Sequence, residues 1–192
     1  MVLAADGGHA RLMTPNDLTG PRAAPVTATS RPPFHRAAGT GATYLGPGDL
    51  YRFLVTGAET GGAYFAMEAI VPPGGGPPPH IHRREDETFY VVEGECGLLL
   101  GEEWITAGVG DFVNVPRGTV HRFHNQGTEA MRMILTFTPA GIEKFFEETL
   151  DRAEDPNQAP PDNLEELAAR FDAAAPRYGI EFLAEYPQAH TS

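Results

Sequence analysis

The spacing of hydrophobic residues along this chain changes twice. Between residues 41 and 139 they alternate with polar residues in short runs broken by Gly and Pro, the period of half-buried strands. The run 49–56 puts Tyr51, Phe53 and Val55 on one face, and 63–71 follows after a turn at 57–62. The same period predicts strands near 87–92, 95–100, 111–115, 120–125 and 131–138. Seven or more short antiparallel strands in one open sheet would leave long bare edges, so they must close into a barrel or pair into a sandwich, and a small barrel is expected. From residue 140 the period becomes helical. Ile142, Phe145, Phe146 and Leu150 form a stripe at i, i+3, i+4 and i+8 over 141–153. After a Pro-rich link at 155–161, Asp162 reads as an N-cap with Glu165 three residues on, and Leu164, Leu167, Ala168 and Phe171 supply a second buried stripe. These helices are expected to clamp the barrel. Residues 1–40 sustain neither period and read as an arm, partly extended or flexible. The expected organisation is an all-β fold in three parts: arm 1–40, barrel 41–139, and helices with a tail at 140–192.

Composition agrees with this division. The chain has 192 residues, enough for one domain with appendages. Gly (22) and Pro (18) supply the turns of an all-β protein, while 41% hydrophobic residues supply its core. With 14 Lys+Arg against 26 Asp+Glu the net charge is −12, which excludes nucleic acid and anionic membranes as partners, because both need a basic surface. The arm has the opposite balance, Arg11, Arg22, Arg31 and Arg36 against Asp6 and Asp17, so it is expected to lie across an acidic surface of its own or a neighbouring subunit. Closed two-fold dimers are the commonest assembly, and a homodimer is expected. The one cysteine, Cys96, can form no internal disulfide and reads as a small buried hydrophobe. Residues 1–16 show no basic flank followed by a long apolar run, and no apolar run approaches the roughly 18 residues of a membrane helix. A cytoplasmic protein is expected.

The chemistry is concentrated in the barrel segment. It contains Gly74-x5-His80-x-His82-x4-Glu87-x6-Gly94, then Gly110-x5-Pro116-x-Gly118-x2-His121-x3-Asn125. Residues two apart on a strand share a face, so His80 and His82 point together into the barrel. The step from His82 to Glu87 is odd, so a turn or bulge through 83–86 must restore the phase. Pro116 and Gly118 mark a tight turn that returns His121 to the interior from a distant strand. His124, three residues beyond His121, points the other way and is expected at the surface. Three imidazoles and a carboxylate form a mixed N/O donor set suited to one divalent first-row metal, Fe, Mn, Co, Ni or Zn; Cu(I) and Ca fit it poorly.

These two patterns resemble the paired motifs of the cupin superfamily, with every defining position filled. The resemblance implies a double-stranded β-helix, or jelly-roll, barrel holding a metal through His80, His82, Glu87 and His121. More narrowly, the entry Pro77-Pro78-Pro79-His80, the run Glu85-Asp86-Glu87 and the helix with Phe145-Phe146-Glu147-Glu148 are similar to single-domain cupins of the quercetin dioxygenase-like group. That likeness implies ring-cleaving dioxygenase chemistry on flavonols or related enolisable aromatics, with O2 as co-substrate. Glu87 is then the candidate base, because a carboxylate at or near the metal can accept a substrate hydroxyl proton. The alternatives are isomerisation, decarboxylation or lyase chemistry in the same metal barrel, or a small-molecule binding module. Phe53, Tyr64, Phe89, Phe112, Phe123, Met133 and Phe137 are candidates for an apolar chamber around the metal. Phe89 and Phe123, two positions beyond Glu87 and His121, share their inward face and are the first candidates for substrate contact, with Phe53, Phe112 and Met133 as further ones. Arg117 and Arg122 are expected at the rim or outside.

Overall fold

The computed structural model describes residues 31–155, 158 and 164–183. Pro33–Ser192 forms one unit and Met1–Pro32 another, of which only Arg31 and Pro32 are described. Among the described residues there are twelve strands: β1 Thr43–Leu45, β2 Leu50–Val55, β3 Phe65–Val71, β4 His80–His82, β5 Asp86–Glu93, β6 Cys96–Leu100, β7 Glu103–Ala107, β8 Phe112–Val115, β9 His121–His124, β10 Met131–Thr138, β11 Asp151–Arg152 and β12 Ile180–Phe182. Three helices join them: α1 Gly57–Thr60, α2 Glu143–Thr149 and α3 Leu164–Tyr178.

The strands form two antiparallel sheets, ordered β11-β1-β2-β3-β10-β5-β8 and β12-β4-β9-β6-β7. β10 shows why. Met131, Met133, Leu135 and Phe137 are buried, while the alternate Arg132 faces outward and pairs with Glu68 of β3 and Glu93 of β5. Across the space between the sheets, Phe89 of β5 meets Phe123 of β9 with ring centroids 6.2 Å apart. Phe65, Phe89, Leu98 and Met133 are fully enclosed, and each such side chain contributes about 1.5–3 kcal/mol of apolar burial.

Local details depart from the sequence-based expectation where tertiary pairing outweighs local pattern. The turn at 57–62 is the single-turn α1, started by the Thr56 N–H donating to the Glu59 carboxylate (2.8 Å) and stopped by Gly61 in the left-handed region (φ 63°). The helix expected over 141–153 spans only Glu143–Thr149. Leu150 is already extended, and Asp151 and Arg152 pair with Leu45 and Tyr44 of β1, so the sheet edge takes the backbone that helical periodicity assigned to the helix. α3 runs seven residues past Phe171; in it Leu167, Ala174 and Ala175 are buried while Ala168 is exposed. Asp162, the expected N-cap, lies outside the described residues, as do residues 1–30 of the arm.

The two longer helices close one end of the barrel. Phe146 packs within 5.7–6.3 Å (ring centroids) of Tyr51, Phe65 and Phe137, and Phe145 packs on Phe171 and Tyr178 of α3 at 5.0 and 5.8 Å. Buried Glu143 fastens α2, accepting from the Gly57 N–H (2.9 Å) and the Gly141 N–H (2.7 Å). No helix among the described residues is long and apolar enough to cross a membrane.

Candidate metal centre

His80, His82, Glu87 and His121 come from three strands in two sheets. The prolines at 77–79 hold the chain extended on its way into β4. There His80 stands in register with His121 of β9. The phase change expected between His82 and Glu87 is achieved by a bend at 83–84 that carries the chain from the small sheet to the large one. Glu87 therefore faces the histidines from the opposite wall, in register with Phe137 and Val115. All four side chains are buried, between 1% and 7% exposed, and one potential ligand atom from each lies within 4.8 Å of the others.

The polarity of the rings follows from their outer contacts. His80 Nδ1 lies 2.9 Å from the Pro78 carbonyl oxygen and His121 Nδ1 lies 3.0 Å from that of Thr119. A carbonyl only accepts, so each Nδ1 carries a proton and a neutral ring turns its lone pair inward at Nε2. There His80 Nε2 is 3.1 Å from His82 Nε2, and Glu87 Oε2 is 2.9 Å from His121 Nε2 and 3.2 Å from His82 Nε2. Lone pairs converging on a carboxylate form a pocket for a cation, and this donor set fits one divalent first-row metal. Burial opposes charge on Glu87, but the hydrogen bonds and charges of His121 and His82 outweigh it and hold the carboxyl at about 2. Burial likewise opposes charge on His121, and the Glu87 contact raises it above the ordinary imidazole range. Burial and the two neighbouring imidazoles push His80 well below that range. A proton and a metal thus compete for the same lone pairs.

Beside the cluster is a narrow pocket, partly open to solvent, whose other walls are mostly apolar, including Met67, Phe123, Leu135 and Phe137. Among the residues lining it there is no lysine or arginine. Of the candidate contacts, Phe123 lines the cavity. Phe89 is buried behind His121, with ring centroids 6.3 Å apart, and Phe53 and Met133 lie in the core rather than on the cavity wall. Phe112 is a clear correction. It is 64% exposed, because Val113 and Val115 take the inward positions of β8 and leave Phe112 and Asn114 on the outer face. Phe137, also named for the chamber, lines the cavity, whereas Tyr64 is exposed. The sequence reading missed Tyr51 and Leu135 as lining residues, although Tyr51 occupies the inward face recognised on β2. It also missed Phe145, Phe146, Phe171 and Phe182, contributed by the segment after the barrel.

Outside the cluster, His124 Nδ1 lies 3.1 Å from the Gly75 carbonyl oxygen and turns away from the other histidines. Arg117 is paired with Asp86 at the surface, and Arg122 lies over the Trp104 ring at 6.0 Å. Cys96 is fully enclosed, and burial pushes its thiol up to about 12.

Two antiparallel sheets closed over a buried three-histidine, one-glutamate cluster that could hold a metal define a double-stranded β-helix barrel. Residues 67–137, which include both motifs and all four clustered side chains, match the family described as "Cupin domain". It is 29% identical over 140 residues to a quercetin 2,3-dioxygenase of Bacillus subtilis (strain 168), covering 73% of this chain and 40% of that one. It is 34% identical over 104 residues to a quercetin 2,3-dioxygenase of Aspergillus japonicus, covering 50% and 29% respectively. The chain thus spans about two fifths or less of the length of these curated relatives. The solved structure of KdgF from Halomonas sp. superposes with a TM-score of 0.51 at 21% identity, covering 59% of this chain and 98% of that one, which is a likeness of fold.

Proposed function

We propose that this chain is a metal-dependent dioxygenase acting on a flavonol-like or other enolisable aromatic molecule, with O2 as co-substrate. His80, His82, His121 and Glu87 hold one divalent ion, Fe, Mn, Ni, Co or Zn. When bound, the ion supplies Lewis-acid polarisation of a substrate oxygen. Glu87 Oε2 accepts the proton of the substrate hydroxyl, since it is the one carboxylate in an otherwise imidazole set. The Pro78 and Thr119 carbonyls fix the orientation of His80 and His121, and Phe123, Leu135 and Phe137 exclude water from the substrate's reactive face. The observation that carries this reading is a single buried carboxylate beside an apolar chamber with no lysine or arginine among its described lining residues, which favours an uncharged, enolisable aromatic over an anionic substrate. The likeness to quercetin 2,3-dioxygenases supports the reaction class.

The test is oxygen uptake by metal-loaded protein against flavonols, catechols and diketones. Uptake on flavonols alone supports the proposal. Turnover that persists without oxygen replaces it with non-oxidative isomerase, lyase or decarboxylase chemistry.

A further inference from the structure

A second cavity, wider and partly open to solvent, adjoins the metal chamber. Tyr51, Pro77, Phe171 and Phe182 line both, so the two spaces share walls of flat apolar groups. The outer cavity has a buried carboxyl in its lining, Asp49, which is only 3% exposed. Asp49 Oδ2 accepts a hydrogen bond from the Tyr51 hydroxyl at 2.8 Å. Its Oδ1 is buried with no hydrogen-bond partner among the described residues. Leaving such an oxygen unpaired is costly, so it marks a place where a partner from outside the chain would be rewarded. Gly75 lets the chain pass close to the carboxyl, since a Cβ there would lie 2.9 Å from Asp49 Oδ1 and 2.8 Å from Val71 Cγ1. Burial pushes Asp49 up to about 7 against the lowering effect of the Tyr51 hydrogen bond, so near neutrality the carboxyl can either accept or donate.

We propose that the outer cavity is a subsite for a hydroxyl-bearing aromatic ring of the substrate, whose hydroxyl hydrogen-bonds Asp49 Oδ1 while the enolisable part of the same molecule occupies the metal chamber. The ring lies between the faces of Pro77, Phe171 and Phe182, and Tyr51 links the two spaces, with its ring in the metal chamber and its hydroxyl on Asp49. Asp49 is then a specificity-determining residue and Tyr51 its positioning residue. A ligand carrying a negative charge at this end is disfavoured, because Asp172 also lines the cavity. The assignment rests on the metal chamber accepting a flavonol-like molecule, and the experiment separates the two.

Metal-loaded protein under argon is titrated with 3-hydroxyflavone, 3,4′-dihydroxyflavone and 3,7-dihydroxyflavone, with binding followed by fluorescence. One of the dihydroxy compounds is expected to bind about tenfold more tightly than the parent, the worth of one hydrogen bond to a buried carboxyl. That preference disappears in Asp49→Leu. In Tyr51→Phe, which keeps the ring but frees the carboxyl, it falls by about threefold or more, so the test survives if Asp49→Leu does not fold. Wild-type protein that binds all three compounds alike, or a preference that persists unchanged in both variants, overturns the Asp49 subsite and leaves the metal-chamber reading standing. Wild-type protein that binds none of the three overturns both.

Discussion

Phe182 stands directly opposite His80 across the β12–β4 ladder, with ring centroids 5.8 Å apart. A strand from the far end of the described chain thus covers one side of the strand that carries His80 and His82. Without it β4 would be a bare sheet edge, a position that invites fraying or foreign pairing. The attachment continues beyond the ladder, with the Arg83 N–H donating to the Gly179 carbonyl (2.8 Å) and the Leu183 N–H to the Pro79 carbonyl (2.9 Å). Gly179 makes the turn from α3 possible: its φ is 74°, and a Cβ there would lie 3.0 Å from the Arg84 side chain. Gly179→Val is expected to cost about 1–3 kcal/mol and to speed metal loss. The exposed Arg83–Glu181 pair, by contrast, should matter by less than about 1 kcal/mol in Arg83→Ala. Thermal melts together with chelator-driven metal release decide the matter. Unchanged release in Gly179→Val would remove β12 as a support of the site.

Phe123 and Phe112 offer a second contrast, since both lie on strands of the barrel but on opposite sides of its wall. Phe123→Ala removes a buried ring beside the ligands and is expected to cost about 3–5 kcal/mol. Phe112→Ser touches a solvent-facing ring and should change stability by about 0.5 kcal/mol or less. Denaturant melts of the two variants check the assignment, and equal losses would contradict it.

The contrast also marks how far the sequence could be read. Gly, Pro and alternation locate β2, β3, β5, β6, β8, β9 and β10, because a two-residue period leaves a strong trace when one face is buried. The cluster was legible in two parts: fixed offsets place His80 and His82 on one face, and the resemblance to the paired cupin motifs joined Glu87 and His121 to them. Phe112 was misplaced because β8 has apolar residues on both faces, so alternation alone does not give its phase. β11 and β12 are two and three residues long and exist through partners about a hundred residues away, β1 and β4, which no local pattern records. The cavity lining from α2, α3 and β12 was illegible for that reason too. The apolar stripe showed that Phe145, Phe146 and Phe171 are buried, but not against what.

Asp49 gives a pH signature with a definite sign. Its carboxyl titrates at about 7 in the folded chain, against 3.8 for the ordinary group. Between those values the folded state holds a proton that the unfolded state has released, so this group's contribution to stability falls as pH rises from about 4 to 7 and is level above that. The span is on the order of 4 kcal/mol. Asp49→Asn mimics the protonated form and can still accept from Tyr51. It should therefore match wild type near pH 4 and exceed it in stability at pH 8, as read from denaturant midpoints. A difference that does not change with pH would mean that Asp49 does not ionise at a cost.

Glu87 and His121 touch one another, yet their removal should have separable effects. Glu87→Gln keeps the three imidazoles and much of the side-chain shape, so metal affinity should fall but persist. The amide cannot take up the substrate proton at working pH, and turnover should drop by about 100-fold or more. His121→Ala takes away one of only three nitrogens and leaves Glu87 without its closest contact, so metal occupancy itself should collapse. Occupancy of the wild type should also decline on acidification, since His121 binds its proton above the usual imidazole range and that proton competes with the ion. Metal content by elemental analysis and rate under saturating oxygen, measured on the same preparations, distinguish ligand from base. Full activity with full metal in Glu87→Gln would make the carboxylate a spectator and return the site to metal-centred Lewis-acid chemistry or simple binding.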